Sequence, residues 1–251
     1  MPPRQRTPEG PPPAPAVQKL RVKYARRGRL RFSSTRDFGR ALERALRRAE
    51  VPMAFSAGFH PHPKISYANG APTGTASEAE HFEISVTVRV DADAVRAALD
   101  AALPDGLDVL EVVEAAPGAL ADRLEASSWE LVFRQTALAD LEAAVDAYLD
   151  AAEAPVSRMF KTGMKTFDTR SAVVTMSAAA AADPSCAILR MVVRHTTPSV
   201  RPDDILTALR AVTALAPPVP PLVTRLAQGP LHDATAGVAD PLAADKAAAG
   251  S

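Results

Sequence analysis

The 251-residue sequence contains one cysteine, Cys186. A single thiol excludes an internal disulfide and a three-cysteine cluster site within the chain. Aromatic residues make up only 5%, so each can be weighed individually. No apolar run approaches the roughly 20 residues that span a bilayer. The opening MPPRQRTPEGPPPAP lacks the apolar stretch of a secretory signal. The expected compartment is the cytoplasm, without a membrane. Paired catalytic groups are missing as well. Ser33, Ser34 and Ser56 have no identifiable base, and the sequence around Cys186 offers no activating cation. Histidine is scarce, at five residues. His60 and His62 are spaced to share a metal but have no third ligand nearby. His81 with Glu78, Glu80 and Glu83 matches no recognised ligand spacing. These absences lead us to expect no bound metal, no cofactor and no catalytic residue in this chain.

What is present fits a globular protein: 47% hydrophobic and 23% charged residues. The net charge of zero conceals a partition. Residues 1–64 hold 15 Lys/Arg against 4 Asp/Glu, residues 65–155 hold 4 against 18, and residues 156–251 hold 10 against 7. A basic lobe of this kind is the footprint of a phosphate-bearing or acidic partner. The alternative is that the acidic middle neutralises the basic start within one fold.

Basic charge is concentrated in and just before 26–67, RRGRLRFSSTRDFGRALERALRRAEVPMAFSAGFHPHPKISY, which holds 10 of the 29 Lys/Arg. Phe38, Ala41, Leu42, Ala45, Leu46 and Ala49 recur at helical spacing and predict an amphipathic helix over 36–50. Ser34 or Thr35 is the expected N-cap, with Asp37 favoured by the dipole in the first turn. Pro52 ends the helix. Arg36 opens it, and Arg40, Arg44 and Arg48 form a stripe at i, i+4 and i+8, with Glu43 spaced to pair with Arg47. Ahead of the helix, Leu20, Val22 and Tyr24 alternate with Arg21 and Lys23, as in a half-buried strand. Gly28 is expected to turn the chain or make a bulge, with Arg29 and Arg31 in a second alternating stretch. After the helix, Gly58 frees the backbone for Phe59-His60-Pro61-His62-Pro63-Lys64. His60 and His62 precede prolines and should be extended. In a strand-like conformation they would share a side with Lys64.

The RRGRLRF segment, the Asp37-Phe38 helix start, RALERALRRA, AFSAGFHPHPKISYA and PTGTASEAE together resemble the radical-SAM-linked protein family of unknown function. Its members stand alone or are fused to cobalamin-binding radical-SAM proteins. The likeness extends more weakly to about Ala211. It implies a radical-SAM protein as partner, with cluster, cobalamin and chemistry carried by that partner. One departure is Thr35, where the family pattern has a histidine in a Ser-His-x-Asp turn; Thr35 retains only the capping role.

The expected fold class is α+β, as tandem ferredoxin-like β-α-β-β-α-β domains with antiparallel sheets. A disordered proline-rich tail would occupy 1–17, the basic domain 18–116, a connector 117–125, the second domain 126–227 and a disordered tail 228–251. Expected strands of the first domain cover 18–24, 64–67, 80–90 and 107–113, with a second helix over 92–102. In the second domain, strands are expected over 129–134, 156–160, 172–176, 187–194 and 221–226, and helices over 138–152 and 202–212. Met159, Met164, Met176 and Met191 fall at strand positions and are expected in the core. Lys161, Lys165, Asp168 and Arg170 cluster around Gly163, either as a solvated hairpin tip or as a second partner contact.

The reading this favours is a non-catalytic accessory protein that binds structured RNA or presents substrate. Arg29, Arg31, Arg36, Asp37, Arg40, Arg44, Arg48, Phe59, His60, His62, Lys64, Lys161, Lys165 and Arg170 would form the contacts. Phosphates would meet the arginines, and unpaired bases would stack on Phe55, Phe59, His60 or Tyr67. Two alternatives remain: a protein-docking module without nucleic acid, and an enzyme acting on a small anionic substrate through His60 or His62.

Overall fold

The computed structural model describes residues 12–213, 215–232 and 234–249. Of the expected N-terminal tail, residues 1–11 lie outside this range, and residues 12–17 are exposed and without regular structure. The fold is mixed α+β, with five α-helices among the described residues and strand pairing that is mostly antiparallel. Two compact units divide it. The first comprises the described residues up to Thr73, Glu80–Gly118, and Leu242 onward; the second comprises Gly74–Ala79 and Ala119–Pro241. The division is interleaved rather than sequential.

In the first unit, β1 (Gln18–Arg26) is followed by α1 (Thr35–Arg48), β2 (Ile65–Ala68), β3 (Ala76–Val86, whose first four residues belong to the second unit), α2 (Ala92–Ala102) and β4 (Leu107–Glu114). The strand order is β4-β1-β3-β2. The alternation of β1 puts Leu20, Val22 and Tyr24 into a core shared with Phe38, Leu42 and Leu46 of α1. Tyr24 stacks on Phe38 with ring centroids 4.5 Å apart, an offset aromatic contact that adds to simple burial. Asp91 caps α2, accepting from the Ala94 N–H at 2.8 Å. The RLRF segment does not continue the strand. Gly28, at φ +53°, turns the chain into a 3-10 segment, Gly28–Phe32. The expected third strand starts four residues earlier than its alternation suggested and ends at Val86.

The second unit follows the same order with two additional strands: β5 (Ala126–Arg134), α3 (Leu138–Asp150), the added β6 (Pro155–Phe160) and β7 (Gly163–Asp168), β8 (Val173–Ala180), β9 (Cys186–Arg194), α4 (Pro202–Val212) and β10 (Leu222–Gly229). Here the strand order is β10-β5-β9-β8, and β10 also pairs in parallel with Ala76 and Ser77. Leu131, Phe133, Leu141, Tyr148, Leu189 and Ile205 form the centre of its core. Strand β7 was not anticipated. It pairs with β6 as a separate hairpin, setting Met159 opposite Met164. These two methionines are 67% and 61% exposed, so they are not core residues as expected, whereas Met176 and Met191 are.

The segment after 228, expected to lack structure, is also folded. It forms β11 (Leu231–His232), β12 (Gly237–Val238) and α5 (Ala243–Ala249). Leu242 and Asp245 are fully buried. An alanine-rich composition concealed this, because a single carboxylate with a buried partner anchors the helix. The Asp245 carboxylate accepts from Arg21 at 2.5 Å and from the Ala116 N–H at 2.8 Å. No helix among the described residues is long and apolar enough to cross a membrane.

Candidate functional site

Ser34, rather than Thr35, caps α1, accepting the Asp37 N–H at 3.2 Å and donating to the Asp37 carboxylate at 2.7 Å. That hydroxyl bond, helped by Arg40 and Arg36, holds the Asp37 carboxyl below its ordinary range. Asp37 is thus part of the cap. Arg36, Arg40 and Arg44 are exposed and form no ion pair among the described residues. They lie away from the buried Leu42 and Leu46, so their charge faces solvent. Arg48 behaves differently, donating to the Ala102 carbonyl at 3.2 Å and tying α1 to α2. The Glu43–Arg47 pair suggested by spacing does not form; Arg47 Nε donates to the Glu43 carbonyl at 3.3 Å. Arg29 is exposed. Arg31 donates to the Gly28 carbonyl at 3.1 Å and lies 4.6 Å over the ring of the exposed Phe32.

Between α1 and β2 the chain is irregular in secondary structure but closely tied down. The Ala54 N–H donates to Ser85 and the Lys64 N–H to Ala54, both at 2.8 Å. Further out, the Ser56 N–H donates to the His62 carbonyl at 2.9 Å, and the Ser56 hydroxyl accepts the His62 N–H at 3.0 Å. These bonds close a loop whose tip holds Gly58 at φ +128°, a conformation natural only to glycine. Phe59, His60, His62 and Lys64 are all exposed. Tyr67 is not a free platform. Its ring meets Phe38 edge-on at 5.9 Å, and burial, with Glu43 nearby, raises its pKa.

The loop folds back along α1 and encloses a groove of about 480 Å³. Glu43, Leu46, Arg47 and Glu50 form one wall, as spacing of i, i+3, i+4 and i+7 requires. Phe55, Pro61, His62 and Pro63 form the other, over a floor of Val51 and Met53. His62 and Phe55 therefore line the groove opposite the helix, whereas Phe59, His60 and Lys64 do not line it. Glu43, Glu50 and Met53 were not recognised as site residues. Their spacing with Arg47 was visible, but the loop that faces them was not.

One family model matches the chain, over residues 19–202, with the description "Uncharacterized protein conserved in bacteria (DUF2344)". The chain belongs to this family. No curated protein matches it. The DUF2344 match takes in α1, the loop, the groove and the β6–β7 hairpin, and stops before α5.

Within the same DUF2344 span, the second basic cluster divides. Lys161 and Lys165 are exposed at the hairpin tip, with Lys165 Nζ 5.6 Å from the centre of the Phe160 ring. Arg170 is held by the fold, donating to the carbonyls of Leu149 at 3.2 Å and Val173 at 3.5 Å. Asp168 closes the hairpin base. Burial alone would raise its pKa, but hydrogen bonds from Ala154, Ser171 and Arg170 overcome that and lower it to about 2. Arg158 ties the hairpin to α4 through Asp204 and stands over Phe160 and Phe167, 4.7 and 5.0 Å from their ring centres.

Sequence reasoning did not find two buried polar sites. Arg21, placed on a polar strand face, is fully buried, bonded to Glu83 at 2.8 Å, to Asp245 and to the Gly118 carbonyl. His195 lies 2.7 Å from the Leu124 carbonyl and 2.8 Å from the Ser127 hydroxyl. A carbonyl only accepts, so Nδ1 carries the proton and Nε2 accepts from Ser127. Burial lowers the pKa of His195, outweighing the Leu124 bond. Among the described residues no group of three or more His, Cys, Asp or Glu is arranged to hold a metal ion.

Proposed function

We propose that this chain is a non-catalytic accessory protein that binds RNA through the arginine face of α1 and the loop that follows it. The observation carrying this reading is that Arg36, Arg40 and Arg44 stand exposed, without ion pairs among the described residues, beside a hydrogen-bonded loop that presents Phe55 and Phe59. Guanidiniums at that spacing suit successive phosphates, and exposed rings beside them suit unpaired bases. Each unit is proposed to be a ferredoxin-like domain, a reading supported by the matching strand orders β4-β1-β3-β2 and β10-β5-β9-β8. Such domains often meet RNA on the open sheet face, but here Arg21 on that face of β1 is sealed by α5. The helix face takes that role instead.

The resemblance described above favours a radical-SAM protein as partner, supplying the chemistry to a substrate this chain holds. One observation favours a protein contact as well as RNA: Met159 and Met164 form an exposed apolar pair on the β6–β7 hairpin, and methionine suits adaptable protein surfaces. The test is a titration of structured RNA at several ionic strengths. Wild type should bind with a steep salt dependence, and Arg40→Glu with Arg44→Glu should weaken binding and flatten the salt slope by roughly two units. Absence of RNA affinity in wild type would end this reading. Loss of radical-SAM protein capture on the same charge reversals would put the docking module in its place.

A further inference from the structure

We infer that the groove between α1 and the His-Pro-His-Pro loop is a pocket for a single unpaired guanine base. This inference rests on the RNA reading and specifies what the loop recognises. The groove's volume, about 480 Å³, is in the range of small-ligand sites. Its surfaces are of two kinds. Leu46, Val51, Met53 and Phe55 offer apolar faces on which a flat ring can lie. Glu43 and Arg47 line the groove from the helix, and Glu50, at φ +53° just past the helix end, lines it beside them.

The carboxylates decide which base fits. A carboxylate offers two acceptors and no donor. Guanine alone among the four bases presents two adjacent donors, N1–H and the 2-amino group, on its Watson–Crick edge. Adenine and cytosine set an acceptor nitrogen beside their amino group, which would face a carboxylate oxygen. Uracil has one donor flanked by two carbonyls. An acidic wall next to an arginine stripe is unfavourable for a phosphate but complementary to this base edge. The sugar-phosphate chain then runs outside, toward Arg40 and Arg44. Phe55 is 42% exposed, so its ring can be reached without the core opening.

The proposal is tested with labelled oligouridylates carrying one central guanosine, inosine, adenosine or no substitution, measured by fluorescence anisotropy at two ionic strengths. The guanosine oligomer should bind about tenfold more tightly than plain oligouridylate, as expected for a bidentate pair. Inosine, lacking the 2-amino group, should lose most of that gain, and adenosine all of it. Glu43→Gln with Glu50→Gln should abolish the guanosine preference without weakening oligouridylate binding, because the phosphate contacts remain. Phe55→Ala should reduce the affinity of the guanosine oligomer more than that of plain oligouridylate. Thermal melts accompany each variant, and wild type alone is sufficient if a variant fails to fold. Equal, salt-dependent binding of all four oligomers would overturn the guanine pocket while leaving the RNA reading intact. No binding of any oligomer or of structured RNA would remove both.

Discussion

The two units carry an extra segment at the same place in the same topology, after the first helix and before the second strand. In the first unit it is the loop of residues 51–64; in the second it is the β6–β7 hairpin, residues 155–168. The two are built by different means. The loop contains one proline at its start and two near its end, and it borrows hydrogen bonds from β3, so it lies back along its own helix and makes a groove. The hairpin satisfies its backbone internally over six residue pairs. It needs side chains to hold it, Arg158 on Asp204 and Asp168 on the turn below. The loop consequently offers a concave site with mixed charge, and the hairpin offers a convex one with two methionines and two lysines. One insertion point thus yields a groove of about 480 Å³ in one unit and an exposed two-stranded arm in the other.

The comparison breaks most readily at the hairpin anchor. Asp204→Ala leaves Arg158 without its counter-charge and the Arg201 N–H without the acceptor it has at 2.8 Å. Removing one member of a buried pair costs about 3–5 kcal/mol. The partial exposure of Arg158 puts the expectation at the lower end, read as a drop in the denaturant midpoint. Asp168→Asn should cost less, roughly 1–2 kcal/mol once its partial solvent access is allowed for. The sign of the accompanying pH effect is fixed. The folded pKa is about 2 against an ordinary 3.8, so this contribution is complete above pH 3.8 and is lost as pH falls toward 2. The variant should therefore show a shallower fall in stability over that window than wild type.

Gly58→Ala probes the other insert. Its φ of +128° disfavours any side chain, although the space around it is open. The expected cost is about 1 kcal/mol, with RNA affinity falling because the loop tip is displaced. Smallest in stability is the pair Met159→Ser and Met164→Ser, both on exposed positions. Melting should move by no more than about 0.5 kcal/mol in equivalent free energy. Capture of the protein partner should be lost while RNA binding stays intact, which would separate the two inserts functionally.

Much of this was legible in the sequence, for reasons that differ by residue. The α1 face was readable because Phe38, Leu42 and Leu46 repeat at helical spacing and Ser34 sits where a cap is needed. Both helices and most strands of each half were readable for the same periodic reason, although the second half carries eight elements through β10 rather than six. Strand β7 was missed because Gly163–Asp168 has exposed residues on both faces and so shows no alternation of burial. Met159 and Met164 were misplaced because strand pattern alone cannot distinguish a core strand from a free hairpin. Helix α5 was missed because its anchor is one buried pair, Asp245 with Arg21, separated by more than 200 residues. The groove escaped notice because its walls are local helix spacing on one side and a tertiary fold-back on the other.

The claim that the loop unit holds RNA while the hairpin does not is tested most directly by ultraviolet crosslinking of the full chain to bound RNA, with the modified peptides mapped by mass spectrometry. The account predicts adducts on Phe55 and Phe59 and none on Phe160 or Phe167, with yield falling as salt is raised. Adducts confined to the β6–β7 hairpin would contradict it.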